Sequence, residues 1–390
     1  MEQREMVDIP NPFRFGTMID GNEFCNRTNE IKTIKQYIFD RYSFWLFSPR
    51  RYGKSSLIRR VFSEIKKTKT IYIDLYNVKS ADDFARKYSK VIARELFDWK
   101  KEVKEISKRI AGYLSGLHPV ITINSEGVPS LTLEKWAIDD KTDLEQILEF
   151  PEKFAKDNKI SVCVAFDEFQ EIERIDPFII NLMRTSFQNH KHVCYAFLGS
   201  KQTLMESIFT NINSPFYEFA LKMTLETIPF DEFHKFIKDK FKKSGMSISD
   251  ERINNILKKS NGHPHFTQYF ASVVFDLMRS GEDSGDEELF VEKWMMKIIY
   301  SQGIVFQNIY DQLKSSQRLV LSALAFEQDG KGLYSEEIRK KYNLPVSSSL
   351  TITLNGLMKK NLIYKSKGGY KIDNPVFKEW LIKLNNNELT

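Results

Sequence analysis

Cysteine is scarce in this chain, with three in 390 residues, at Cys25, Cys163 and Cys194, and no C-x-x-C pair. An odd, scattered set cannot build a disulfide framework. Cys163 and Cys194 lie inside the apolar runs VCVAF and VCYAF, where a thiol reads as a small buried hydrophobe rather than a redox group. Histidine is equally thin. His190 and His192 flank a lysine and His263 and His265 flank a proline, but neither pair has cysteine or carboxylate partners at ligand spacing, so no structural metal is expected. No run of about 18 apolar residues occurs, which excludes a membrane-spanning helix. MEQREMVDIP carries charges and no apolar stretch, unlike a secretory signal, so the expected location is cytoplasmic. With 17 Gly, 12 Pro and no repeats, collagen-like and low-complexity classes fall away too.

What is present is a folded composition, 42% hydrophobic and 28% charged, in a chain long enough for several domains. The net charge of +6 is unevenly placed. Residues from Lys314 onward hold 13 Lys+Arg against 7 Asp+Glu, while the rest is balanced at 45 against 45. A basic C-terminal domain able to meet nucleic acid is one implication; a solvated basic domain without a ligand is the other.

In the first half, short apolar runs alternate with helical patterns. SFWLF (Ser43 to Phe47), TIYIDLYNV, ISVCVAF (Ile160 to Phe166) and HVCYAFLG (His192 to Gly199) read as buried strands, with helices from Lys54, over Asp82 to Phe97 and over Pro177 to Asn189. Such alternation predicts α/β architecture, a parallel sheet with helices on both faces. ITINSEGVPSLTLE predicts a β-hairpin insert at about residues 118–135. From Phe230 the pattern is helical to about Leu313, broken by the acidic loop Gly281 to Glu288. Three helical segments (Ser315 to Phe326, Tyr334 to Tyr342, Val346 to Lys360) and a hairpin, Ile363 to Ile372, then match a winged helix-turn-helix. The expected organisation is an α/β core over 1–228, a helical region over 229–312 and a winged helix over 313–390.

After the first strand comes Ser48-Pro49-Arg50-Arg51-Tyr52-Gly53-Lys54-Ser55-Ser56, which matches the phosphate loop G-x-x-x-x-G-K-[ST] except at its first position. Gly53 permits the tight turn that aims N–H groups at phosphate, Lys54 supplies a point charge to the β/γ oxygens, and Ser55 offers a hydroxyl to Mg²⁺. The strand-to-helix context is the one the motif requires. A second apolar strand ends in Asp167-Glu168, where ligands of open α/β sheets bind; Asp167 suits the Mg²⁺ shell, and Glu168 suits the attacking water. Gly199-Ser200-Lys201 ends the next strand and would bring the Ser200 hydroxyl near the γ-phosphate, although a strand-ending Gly-Ser is also a plain turn.

FSPRRYGKSSL, AFDEFQEI, FLGSK, SPFY (Ser214 to Tyr217) and SNGHPHFTQ together resemble the archaeal-type ATPases, a prokaryotic AAA+-related family grouped with the STAND NTPases, from about Phe15 to the C-terminus. The resemblance implies a P-loop AAA+-like sheet followed by an all-helical lid and a winged helix. In FCNRTNEI, Asn26 replaces the glycine of the family's Gly-Arg-Glu box while Arg27 and Glu30 remain, and Arg27 would pack near adenine. Gly262-His263-Pro264 resembles the lid motif that approaches the nucleotide. The C-terminal DNPVFKEWL resembles an aromatic helix that packs back on the ATPase. Two departures stand out. Ser48 replaces the loop's first glycine, and SPFYEFA has Glu218-Phe219 where many relatives carry arginine after the tyrosine. Any arginine finger must therefore be Arg184, Arg50 or Arg51, and slow basal turnover is expected, raised by assembly or a partner.

The third winged-helix segment would expose Ser347, Ser348, Thr351 and Asn355 early and Lys359 and Lys360 late, with Lys365, Lys367 and Lys371 on the wing. These groups suit phosphate contacts to double-stranded DNA more than base reading, and a winged helix serves protein contacts as well. The combined expectation is a Mg²⁺-dependent ATPase that binds ATP and ADP and couples nucleotide state to domain arrangement, with homo-oligomers and DNA or protein as partners. The alternatives are a DNA-binding, initiator-like regulator with structural ATP, and an oligomerising defence or signalling scaffold.

Overall fold

In the computed structural model, residues 9–17, 24–99, 103–114, 117–123, 129–133, 141–283, 285–327, 330, 332–366 and 369–389 are described. The strands are β1 (Phe44–Phe47), β2 (Thr68–Asp74), β3 (Pro119–Ile123), β4 (Pro129–Leu133), β5 (Ser161–Asp167), β6 (Val193–Gly199), β7 (Leu221–Thr224), β8 (Ile363–Ser366) and β9 (Gly369–Ile372). Five of them form a parallel sheet in the order β2-β5-β6-β1-β7, the α/β fold anticipated. β1 and β6 are buried at every position, as strands covered on both faces must be. β7 escapes a reading by hydrophobic runs because LKMT is an edge strand whose residues are largely exposed.

The register fixes what meets at the carboxyl edge. Phe47 pairs with Gly199 and Asp74 with Asp167, so the segments after β1, β5 and β6 emerge side by side. Residue alternation fixes the faces. Phe166 stacks on Tyr88 of the helix Ala81–Leu96, with centroids 6.0 Å apart, whereas Tyr72 lies under Arg59 of the helix Lys54–Glu64. Aromatic rings including Phe166, Phe169, Phe197, Phe209 and Phe216 fill this core. β3 and β4 form the expected antiparallel insert hairpin; its tip, with Gly127, lies outside the described residues.

The chain divides into two compact units. One comprises Arg27–Arg50 and Lys54–Leu225, and the other Met1–Asn26, Arg51–Gly53 and Glu226–Thr390. The second unit is built on helices Phe230–Lys243, Asp250–Ser260, Pro264–Arg279 and Glu287–Asp311, followed by the winged helix: helices Ser315–Phe326, Glu336–Lys341 and Ser347–Lys359, the β8-β9 wing, and Pro375–Asn385. The N-terminal segment docks here. Phe13 packs 5.5 Å from Phe241, and Asn11 Nδ2 donates to the carbonyl of Ser272 at 3.0 Å. The last helix places Phe377 5.3 Å from Phe306 and Trp380 5.7 Å from Tyr310, so these two aromatic residues are seated on the long helix of their own unit.

Candidate nucleotide site

Between the end of β1 at Phe47 and the helix starting at Lys54, the chain must reverse within six residues. The left-handed conformations this requires fall on Arg51 (φ 62°) and Gly53 (φ 85°) and not on Ser48. The serine in place of the motif's first glycine therefore carries no left-handed strain. Lys54 is 5% exposed. Its ammonium donates to the carbonyls of Ser48 (2.9 Å) and Pro49 (3.0 Å) and lies 3.2 Å from Ser48 Oγ, which holds it over its own loop. Ser55 and Ser56 are half-buried on the first turn of the helix, and Arg50 is exposed.

Asp167 and Glu168 end β5 with opposite commitments. Asp167 is 6% exposed; its Oδ1 accepts the Glu168 N–H at 2.9 Å, and its Oδ2 accepts Ser55 Oγ at 2.5 Å and the Tyr72 hydroxyl. Burial first, and the adjoining Asp167 carboxylate second, push the Tyr72 phenol well above its ordinary range, so it stays a donor. Glu168 adopts φ 52°, a conformation that costs a non-glycine residue about 1 kcal/mol. Its Oε2 accepts Ser200 Oγ at 2.8 Å and the Gln170 amide, while Gln170 Oε1 lies 3.3 Å from the Ser200 N–H. Gln170 is fully buried, and so binds Glu168 to Ser200 in a closed hydrogen-bonded loop. Lys201 is engaged elsewhere, 2.6 Å from Glu171.

Ser48, Pro49, Lys54, Ser55, Asp167, Glu168 and Ser200 are thus brought together at one sheet edge. Arg27 belongs to the same unit. It precedes the helix Thr28–Phe39 at φ 76°, is 4% exposed and pairs with Glu30 at 2.9 Å. Arg51 to Gly53 group with the other unit, where the Tyr52 ring lies 4.5 Å from His263 and its hydroxyl 3.2 Å from that of Tyr364. Arg51 Nη1 lies 3.4 Å from His265 Nε2. A guanidinium can only donate, so that nitrogen accepts from it. Burial first, then the Arg51 charge, lower His265 to about 4. His263 and Pro264 start the helix Pro264–Arg279 after Gly262 (φ 66°), where a Cβ would come within 2.9 Å of the Ile228 carbonyl.

Two comparisons bear on this arrangement. Residues 24–269 match the model of a family described as an ATPase domain predominantly from Archaea, and residues 304–383 match that of a winged helix domain. The chain belongs to this archaeal ATPase family. A Walker-type ATPase of Pyrococcus abyssi is similar over 95% of this chain and 99% of its own, with 17% identity and a TM-score of 0.66. The ORC2 protein of Aeropyrum pernix, solved in ADPNP and ADP complexes, is similar over 96% and 98%, with 13% identity and a TM-score of 0.51. At such identities the likeness is one of fold. No curated protein matches the chain in sequence.

In this archaeal-type ATPase the position after SPFY is occupied by Glu218 at φ 51° and by Phe219, whose ring lies 4.8 Å from the guanidinium of Arg184. Arg184 also donates to Gln188 at 2.7 Å. In the winged helix, Ser347, Ser348, Thr351, Asn355, Lys359, Lys360 and Lys365 are exposed and Lys371 is half-buried; Lys367 lies outside the described residues. Tyr72 and Gln170 were not anticipated. An aromatic residue in a strand reads as core, and nothing local marks Tyr72 otherwise; the polar residue two places after Glu168 was the available signal for Gln170.

Proposed function

We propose that this archaeal-type ATPase binds ATP with Mg²⁺, hydrolyses it slowly, and uses the nucleotide state to switch between arrangements of its ATPase core, helical region and winged helix. The observation that carries the reading is the convergence of Lys54, Ser55, Asp167, Glu168 and Ser200 at the carboxyl edge of the sheet. The loop N–H groups and the Lys54 ammonium would neutralise phosphate oxygens. Ser55 Oγ and Asp167 Oδ2, 2.5 Å apart, are the hard oxygen donors that Mg²⁺ selects, so the residues fit the ion. Bound there, Mg²⁺ would neutralise charge developing on the transferred phosphoryl group.

Glu168 would orient the attacking water and accept its proton, and Ser200 would donate to the γ-phosphate. Both groups are tied to each other, so each must exchange a hydrogen bond to act. That fits slow basal turnover, as does the absence of arginine after Tyr217. The test is the rate of phosphate release with and without duplex DNA, alongside solution mass with ADP and with a non-hydrolysable ATP analogue. A phosphate-release rate unmoved by DNA, together with the same solution mass in ADP and in the analogue, would overturn the switch.

One observation favours a protein partner over DNA for the winged helix. The outer side of the helix Ser347–Lys359 and its N-cap carry exposed Val346 (59%) and Ile352 (73%) among hydroxyl groups, and the helix has no cation before Lys359. A scaffold that assembles through this helix is the second reading; duplex binding at low salt would dismiss it.

A further inference from the structure

Ser55 and Asp167 suit Mg²⁺, but the carboxylate needs a group that holds it in place. Both Asp167 oxygens are already hydrogen-bonded, Oδ1 to the Glu168 N–H at 2.9 Å and Oδ2 to Ser55 and Tyr72. Of the Oδ2 donors, Ser55 cannot be the permanent one. A serine oxygen that turns its lone pairs to a cation is itself a ligand, and its bond to Asp167 must adapt when it does so. The Glu168 N–H fixes only the other oxygen. The group left to hold Oδ2 throughout is the Tyr72 hydroxyl.

The fold builds Tyr72 for that purpose. β2 pairs with β5 in register, Asp74 opposite Asp167, so Tyr72 stands two residues short of Asp167 on the neighbouring strand and on the same sheet face. The phenol spans that diagonal. Arg59, from the helix that starts at Lys54, lies 4.5 Å above the ring and confines it from the helix side. One helix therefore carries Lys54 and Ser55 at its start and, at Arg59, the lid over the tyrosine.

We propose that Tyr72 is a positioning residue of the Mg²⁺ site: by holding Asp167 Oδ2 beside Ser55 it sets the affinity for the metal–nucleotide complex and not for the nucleotide alone. The inference rests on the ATP-and-Mg²⁺ reading above. Removing a second-layer partner of a metal ligand typically weakens metal binding about 10- to 100-fold. Tyr72→Phe keeps the ring beneath Arg59 and removes only the hydroxyl.

The experiment uses the full chain, wild type and Tyr72→Phe, and follows the binding of a fluorescent ADP analogue in a Mg²⁺ titration and again in EDTA. Arg59→Met, which removes the cation over the ring and keeps the hydroxyl, serves as a second variant expected to shift the same quantity in the same direction but less. The expected result for Tyr72→Phe is a Mg²⁺ half-saturation raised on the order of 10-fold, with affinity in EDTA within about 3-fold of wild type. An unchanged Mg²⁺ requirement overturns the proposal while leaving the nucleotide reading intact. Equal weakening with and without Mg²⁺ overturns it too, because Tyr72 would then merely shape the loop. A wild-type chain that binds no nucleotide under either condition removes the reading and the proposal together.

Discussion

Substituting Glu168 separates its chemistry from its structural role. In Glu168→Gln the amide oxygen can accept from both Gln170 and Ser200, as Oε2 does now, so the closed hydrogen-bonded loop survives. Only the proton acceptor disappears, and general-base contributions of about 10²- to 10⁴-fold convert to roughly 3–5 kcal/mol of barrier. Glu168→Ala has a different consequence. It removes the acceptor of the Gln170 amide, a buried donor whose orphaning costs about 1–3 kcal/mol, or roughly 2–10 °C of melting temperature for a unit of this size. Glu168→Gly suffers the same penalty but is relieved of the left-handed conformation at φ 52°, which returns about 1 kcal/mol. The assays are initial rates of phosphate release at saturating Mg²⁺ and ATP, nucleotide affinity, and thermal melts. Glu168→Gln is expected to be inactive, nucleotide-binding and stable, and Glu168→Gly to fall between the Gln and Ala variants in stability. Hydrolysis by Glu168→Gln at the parental rate would refute the base assignment, and an alanine variant as stable as the glutamine one would refute the closed-loop account.

Other consequences are measurable in the same preparations. Lys54→Met should abolish detectable nucleotide binding at micromolar concentrations, because charge-assisted hydrogen bonds worth about 1.5–3 kcal/mol each disappear from the loop; titration with labelled ATP checks it. His265 is held neutral to about pH 4 while its unfolded counterpart titrates near 6.5, so the unfolded chain binds more protons between these values and stability must fall as pH drops through that window. After allowance for partial exposure the destabilisation is about 1–3 kcal/mol, and His265→Gln should flatten the melting temperature between pH 7 and 4.5. If assembly supplies the missing cation, specific ATPase activity should rise with protein concentration; a high, flat activity across dilution would mean a site complete in one chain. If the winged helix does meet duplex DNA, changing Lys359, Lys360, Lys365 and Lys371 to glutamine should weaken that binding and reduce the salt slope by roughly 0.9 for each DNA phosphate no longer neutralised, with ATP affinity unchanged as the control; no duplex binding at low salt would leave the protein-partner reading of this helix standing.

The sheet was legible because its inner strands leave no ambiguity: VCVAF and VCYAF are too apolar and too β-branched or aromatic to be anything but strands buried on both faces. The phosphate loop was legible because one dipeptide, Gly53-Lys54, sits between such a strand and a helix. What escaped was whatever depends on register. β7 is short and exposed, and only its pairing with β1 makes it a strand. Ser48 departs from the glycine that opens the motif, yet the turn places its positive φ values on Arg51 and Gly53, which no spacing rule reveals.

Tyr72 shows the same limit most sharply. In TIYIDLY every second residue alternates in burial, with Ile71 and Ile73 inside and Tyr72 on the opposite face. The apolar run TIYIDLYNV reads as a buried strand, which makes the tyrosine a core residue and gives it no polar role; that β2 is an edge strand with Tyr72 only half-buried is visible in the structure alone. Its bond to Asp167 arises only when two strands, separated in the chain by helices and the insert hairpin, are set beside each other in one register. A shift of that register by a single residue would turn the phenol away from the carboxylate. The chemistry of this site is therefore carried at two ranges. Local sequence supplies the lysine, the serine and the paired carboxylates, and long-range strand pairing decides which neutral donors orient them.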